Sequence, residues 1–291
     1  MIYFFLSICS TVSIYLLFKW FEKQDIRLFD AIVANYFTAT CIGLAVIPNF
    51  KEATLRATEL PLWLLAGLGV GVLFISVFYL IGLSSQRVGV SITTIASKMS
   101  LALAALLFAL FDASERLQPL QGFALVLALG GVVFSSLKKE STQTTSKLWL
   151  YPLAILLGST IIDFVLGFFG DYTTNNSELA LFSMLPFSVS LVIGSLILGK
   201  RFLTTGQLPR LKDLGAGILL GSVNYISIYA LVKAYQAGIM SKTALLPTNN
   251  LAVVLLGSAV AYVVFGERFT RTQWFGIALS ICAMALLVVG K

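Results

Sequence analysis

Residues 79–101 read YLIGLSSQRVGVSITTIASKMSL, and residues 229–251 read YALVKAYQAGIMSKTALLPTNNL. Set in register at an offset of 150, they match Tyr79 with Tyr229, Gln86 with Gln236, Ser91 with Ser241, Thr93 with Thr243 and Leu101 with Leu251. Two more residues of offset bring Glu115-Arg116 onto Glu267-Arg268, Gln121 onto Gln273 and Phe123 onto Phe275. Apolar residues match by chance in apolar sequence. The matched Gln, Tyr and Glu-Arg carry the weight, and the chain reads as a tandem duplication. Between the copies lies KKESTQTTSK, residues 138–147, which is polar and has no apolar periodicity. It is the natural linker between a first half, 1–146, and a second half, 147–291.

Composition says what solvent the copies live in. Of 291 residues, 58% are hydrophobic and only 11% charged, and the mean hydropathy is +0.93. An ordinary soluble domain carries roughly 25% charged residues. This chain has too little polar surface to face water, so lipid is its solvent. A membrane-crossing helix needs roughly 20 mostly apolar residues. Ten runs qualify: 2–20, 29–47, 62–82, 90–111, 119–137, 149–170, 179–198, 214–233, 239–264 and 271–289. The first starts at residue 2 with no basic segment before it, so it reads as a retained helix rather than a signal peptide.

Five spans per half is an odd number. The second half then enters the membrane from the opposite side to the first. The expected fold class is an all-α polytopic membrane protein, with ten transmembrane helices as two inverted five-helix repeats. In such folds the solute site lies near mid-membrane between the halves, and access alternates by rocking one half against the other.

Several functions drop out. The net charge of +7 comes from basic residues in short gaps, such as Lys138/Lys139, Lys200/Arg201 and Arg210/Lys212. That pattern suits loops near anionic lipid, with no aromatic interleaving to suggest nucleic acid. The chain has no His, and Cys9, Cys41 and Cys282 all lie inside apolar runs. No metal site, cofactor or catalytic triad is called for, and neither a Walker A nor a GxSxG motif occurs. Most Lys and Arg fall after the odd-numbered spans, which by the positive-inside rule puts both termini outside.

Residues 229–290 resemble the EamA family of the drug/metabolite transporter superfamily. The resemblance rests on Tyr229 at a helix end, the Ala/Gly-rich turn after it, Pro247 in the ninth span, and Gly266-Glu267 followed by Gly276 and Gly290. The first half repeats it through Tyr79, Glu115 and Gly130-Gly131, with Ser97-Lys98 where the second half has its proline. The resemblance implies ten helices in two inverted halves and transport of amino acids, nucleotide-related metabolites, drugs or similar solutes. It also implies cytoplasmic termini, against the charge count, and a place in the bacterial inner membrane.

Glu115 and Glu267 have a structural reading. Each precedes the last span of its half, where an acid–base pair shapes a tight turn; the alternative is a direct part in transport. Thr270 and Gln273 have capping-box spacing, and Pro119 suits a first helical position.

Ionisable groups inside spans are costly and mark function. Lys98 lies about 12 Å into the fourth span at 1.5 Å per residue, near mid-membrane. Ser91, Thr94 and Lys98 share one helix face. The register sets Ser97-Lys98-Met99-Ser100 against Pro247-Thr248-Asn249-Asn250. Lys98 reads as an anchor for a carboxylate or phosphate, with Thr94, Asn249, Asn250 and Tyr229 orienting the solute and Pro247 as a hinge; the alternatives are an internal ion pair or snorkelling for Lys98 and helix–helix glue for the asparagines. Tyr79, Asn35 and Thr38 belong to further polar or aromatic stripes that could line a cavity. Asp163, mid-span in the sixth helix, is either the counter-ion of Lys98 or a proton-coupling carboxylate. Lys233 and Lys242 flank a turn and read as snorkelling side chains.

The expectation is a secondary transporter that exports a small polar or anionic metabolite, with lipid as its surroundings and a proton or ion as its coupling partner. The alternative is a channel or lipid scramblase using the same cavity. No nucleophile–base constellation supports an enzyme.

Overall fold

The computed structural model describes residues 1–49, 51, 54, 61–111, 119–136, 148–170, 176–237 and 242–289. Ten α-helices run through them. They are α1 (Ile2–Lys23), α2 (Leu28–Val46), α3 (Pro61–Arg87), α4 (Val90–Phe111), α5 (Pro119–Ser136), α6 (Leu150–Gly170), α7 (Asn176–Thr205), α8 (Leu211–Gln236), α9 (Lys242–Phe265) and α10 (Arg271–Val289). In hydrocarbon every backbone N–H and C=O needs an internal partner, and a helix supplies it within one segment. Six described stretches are long and apolar enough to cross a membrane: Ile2–Lys23, Leu28–Val46, Leu64–Arg87, Ala180–Thr205, Leu211–Leu231 and Thr248–Phe265. The outward side chains are greasy, with Leu211 87% and Val263 78% exposed. Such a surface is a lipid-facing one, and the chain is an integral, all-α polytopic membrane protein.

The helices follow the predicted spans, and three of those that run longer show why. α3 continues through Ser84–Arg87 because its end is tied down: Gln86 Nε2 donates to the Phe18 carbonyl and Lys19 Nζ donates to the Gln86 carbonyl. α7 runs past Lys200 to Thr205, where Arg201 is held by a buried acid described below. α8 starts earlier than hydropathy suggests, with Asp213 in its first turn. Pro119 opens α5, and Thr270 and Gln273 form the expected reciprocal cap of α10.

The chain forms two compact units. The first holds Met1–Trp20, Leu80–Phe164 and Ile226–Lys291, and the second holds Phe21–Tyr79 and Val165–Tyr225. Both cut across the chain midpoint.

In the first unit α5 crosses α10, α4 packs on α9, and α5 lies beside α4. The α5–α10 crossing is made by small residues. A Cβ on Gly131 would stand 2.9 Å from the Ser280 nitrogen, and one on Gly276 would stand 2.8 Å from the Gly131 oxygen. Lipid supplies no hydrophobic drive between helices, so close backbone approach and van der Waals contact hold this pair. α4 meets α9 where Thr94 covers Gly257 and the Ser91 and Ser258 hydroxyls bond at 2.8 Å.

The second unit is organised around α2, α7 and α8. Met184 of α7 packs over Gly43, and Val33 over Gly194. Tyr36, fully buried, donates its hydroxyl to the Phe74 carbonyl at 2.9 Å, and Ser190 donates to the Gly71 carbonyl at 2.7 Å. One end carries a charged network. Arg201 grips the fully buried Asp30 carboxylate with both terminal nitrogens, at 2.7 and 2.8 Å. Arg210 holds buried Asp213 through Nε and Nη2, at 2.8 and 2.9 Å, and reaches on through Nη1 to Asp25 at 2.9 Å. The gaps read from sequence as lipid-facing basic loops are therefore largely partnered: Arg201, Arg210 and Lys212 each meet an aspartate. Asp30 and Asp25 come from elsewhere in the chain, which hid their pairing from a local reading, while Asp213 pairs with Arg210 three residues before it. Lys138 and Lys139 lie outside the described residues.

Candidate functional site

The sequence-selected ions meet inside the first unit. Lys98 on α4 and Asp163 on α6 are both half-buried. They feel one another electrostatically, yet form no direct ion pair among the described residues. Asp163 Oδ2 lies 2.5 Å from the Ser100 hydroxyl. The Ser100 hydroxyl is also 2.6 Å from the Ser97 carbonyl oxygen, one turn back on α4. Thr160, one turn before Asp163, bonds the Leu156 carbonyl at 2.7 Å and reaches the Ser100 carbonyl at 3.5 Å. From α1, the Tyr15 phenol, 4% exposed, reaches the Ser97 side chain and feels the Asp163 charge. Three helices thus converge on one polar cluster in a membrane-embedded unit: Tyr15, Ser97, Lys98, Ser100, Thr160 and Asp163.

Sequence alone gave roles to Lys98 and Asp163, placed Ser97 and Ser100 beside Lys98 without one, and missed Tyr15 and Thr160. Tyr15 had no visible signal, because a lone tyrosine in an apolar run reads as packing. Ser100 had one: it sits at the position equivalent to Asn250 in the other half.

The second-half candidates share this unit. Asn249 and Asn250 on α9 are 2% and 6% exposed. Asn249 Oδ1 is a buried acceptor with no hydrogen-bond partner among the described residues. Such a group costs free energy until something donates to it. Thr94 donates to the Val90 carbonyl at 2.8 Å, which leaves its methyl side against Gly257. Pro247 lies in the first two turns of α9, with its side chain outside the described set, as is that of Lys242. Tyr229 is 42% exposed, and the Lys233 ammonium stands 5.8 Å from its ring centroid.

Asn35 and Tyr79 belong to the second unit. Asn35, fully buried, accepts from Asn224 Nδ2 at 3.2 Å. Tyr79 meets Phe29 edge-on, with ring centroids 5.8 Å apart.

Glu267 has a clear partner. Its carboxylate accepts from the Val90 nitrogen at 2.7 Å and the Ser91 nitrogen at 3.3 Å. Those are orphan donors at the positive end of α4. Gly89, at φ +129°, makes room: a Cβ there would stand 3.0 Å from the Glu267 oxygen. Glu267 was expected to shape its own turn, and its carboxylate caps a helix distant in sequence. Glu115 lies outside the described residues.

Among the described residues no group of three His, Cys, Asp or Glu side chains could hold a metal ion.

No family model matches this sequence. The chain is 27% identical to an uncharacterized protein of Haemophilus influenzae, over 97% of this chain and 96% of that one. A solved crystal structure of a protein aligns over 97% of each chain, with a TM-score of 0.49 and 15% identity.

Proposed function

We propose that this chain is a secondary transporter, built on the EamA plan of two inverted five-helix repeats, for a small polar or anionic metabolite. The observation that carries the reading is the pair Lys98 and Asp163: opposite charges in one membrane-embedded unit, not in direct contact, within a polar cluster. Isolated charge inside a membrane is costly and is kept where it is used. The asparagine acceptor on α9 adds a buried group that awaits a donor.

The packing supports the repeat. α2 packs on α7, α4 on α9 and α5 on α10. Each is the counterpart of its partner in the other half. Each compact unit also takes corresponding segments from both halves: the first, fourth and fifth spans build one, the second and third the other. Lys98 anchors the anionic group of the solute, and Thr94, Asn249, Asn250 and Tyr229 orient it. Export of an amino acid or a related compound is the direction and class the EamA resemblance favours.

The test is reconstitution in liposomes with a panel of labelled solutes, comparing Lys98→Ala and Lys98→Met with the native chain. Saturable flux of an anionic or zwitterionic solute is expected, reduced at least 10-fold in both variants. Native-like flux in both removes the anchor role of Lys98. Flux that never saturates points to a channel instead.

A further inference from the structure

The sequence left Asp163 as either a fixed counter-ion or a proton carrier, and the hydrogen bonds around it separate the two. Ser100 Oγ has two oxygen neighbours, Asp163 Oδ2 at 2.5 Å and the Ser97 carbonyl at 2.6 Å. A hydroxyl owns one proton and can donate to only one of them. The Ser97 carbonyl has no proton to give. If Ser100 donates to that carbonyl, the hydrogen bond to Asp163 exists only when Asp163 carries a proton and donates it to Ser100. If Ser100 donates to Asp163, the carboxylate is ionised.

The site is therefore built for both protonation states without moving a heavy atom. A fixed counter-ion would show the opposite: a direct cation contact and donors committed to the carboxylate. Lys98 makes no such contact among the described residues. The charged and titratable groups acting on Asp163 are Lys98 from α4 and Tyr15 from α1. Thr160 on α6 is committed to its own helix and to α4.

We propose that Asp163 is the proton-binding site of this protein and that Ser100 is the positioning residue whose hydroxyl switches acceptor when the proton arrives. On protonation the Asp163 carboxylate gains one H⁺ from water and becomes a carboxylic acid. Its new O–H donates to Ser100 Oγ, and the Ser100 proton rotates to the Ser97 carbonyl. On release each bond reverts, and no other reactant is consumed. Protonation also removes the negative charge that faces Lys98, so the field at the proposed solute anchor changes with each proton bound. This deepens the transporter reading above, on which its coupling role rests.

The experiment needs no solute. Infrared difference spectra of the reconstituted protein, stepped in pH, read carboxyl protonation directly. The chain has 13 Asp and Glu residues, so the signal is defined by what a variant removes. A protonated-carboxyl band that grows on acidification is expected in the native chain and absent in Asp163→Asn. Ser100→Ala is expected to keep the band but displace its pH midpoint by roughly one unit, the scale of one hydrogen bond to a charged group. Ser100→Thr, which keeps the hydroxyl, should restore the native midpoint. An Asp163→Asn spectrum identical to the native one overturns the proton site. A native midpoint in Ser100→Ala overturns the switch, and that variant is conservative enough to decide the matter if Asp163→Asn does not fold. A band present without any solute flux would sink the transporter and spare the proton site, and flux without the band would do the reverse.

Discussion

Asp25 sits at φ +50°, the left-handed region that a side chain other than glycine seldom adopts. It is held there from outside. Arg210 donates to both its carboxylate and its backbone carbonyl, and Lys212 adds a contact at 3.2 Å. The Arg210 hydrogen bond, then that of Lys212, holds the Asp25 carboxyl below the usual aspartate range. Bonding to Asp213 first, and to Asp25 second, raises Arg210 in turn. The depressed acid favours the folded state above the ordinary aspartate value of about 3.9, and that contribution fades as pH falls through the lower folded value. Thermal unfolding of the native chain against Asp25→Asn should show a constant gap from neutral pH down to about 4, closing below it. A gap that closes between pH 5 and 7 would refute the assignment. The full exposure of Asp25 keeps the gap small. Asn249 makes the converse prediction. Its orphaned acceptor costs roughly 1–3 kcal/mol in the folded state. Asn249→Leu should therefore leave the unfolding transition unchanged or raise it, while solute flux falls. Lower stability with unchanged flux would make Asn249 helix–helix glue. Residues such as Lys98 and Asp163 were legible because charge in an apolar run stands out by itself. Tyr15 was not, since its importance lies in partners from other helices.

At the scale of elements, hydropathy found the helices and stopped short of their ends. Apolar content says where lipid can be, and an end is set by what satisfies the last polar groups. α7 outruns its apolar stretch because Asp30 of α2 waits for Arg201. α4 starts where it does because Glu267, 177 residues away, accepts from its first nitrogen. Within the sequence that glutamate looked like part of its own turn. Removing it leaves two donors at the start of α4 without a carboxylate and removes a charge favourable to the helix dipole. Glu267→Ala is expected to cost about 1 kcal/mol, the typical value for a lost N-cap. Glu267→Gln, which retains an acceptor, should cost less. Unfolding in mixed micelles at graded denaturing detergent measures both. Equal stability of Glu267→Ala and the native chain would mean that water or a neighbouring side chain serves these donors as well.

For the whole molecule, the proposed ten crossings would impose a parity, and the local contacts are in keeping with it. The α1–α2 gap touches the α7–α8 gap through Asp25 and Arg210, and the start of α4 touches the α9–α10 gap through Glu267. All four are gaps that follow odd-numbered spans, and contact requires each pair to share a membrane face. The proposed ten spans predict that every odd gap lies on one face, and every even gap on the other with the termini. In a variant lacking Cys9, Cys41 and Cys282, single cysteines at Gln207 and Arg268 probe odd gaps, and one at Asn49 probes an even gap. All three positions are exposed. A membrane-impermeant maleimide should label Gln207→Cys and Arg268→Cys from one side only, and Asn49→Cys from the other only. Labelling of Gln207→Cys and Asn49→Cys from the same side would break the ten-span count and, with it, the inverted repeat. The same labelling gives the absolute orientation. Termini on the cytoplasmic face would follow the EamA resemblance. Termini outside would follow the charge count, in which the basic residues of the odd gaps hold the cytoplasmic side even though Arg201, Arg210 and Lys212 are each matched to an aspartate.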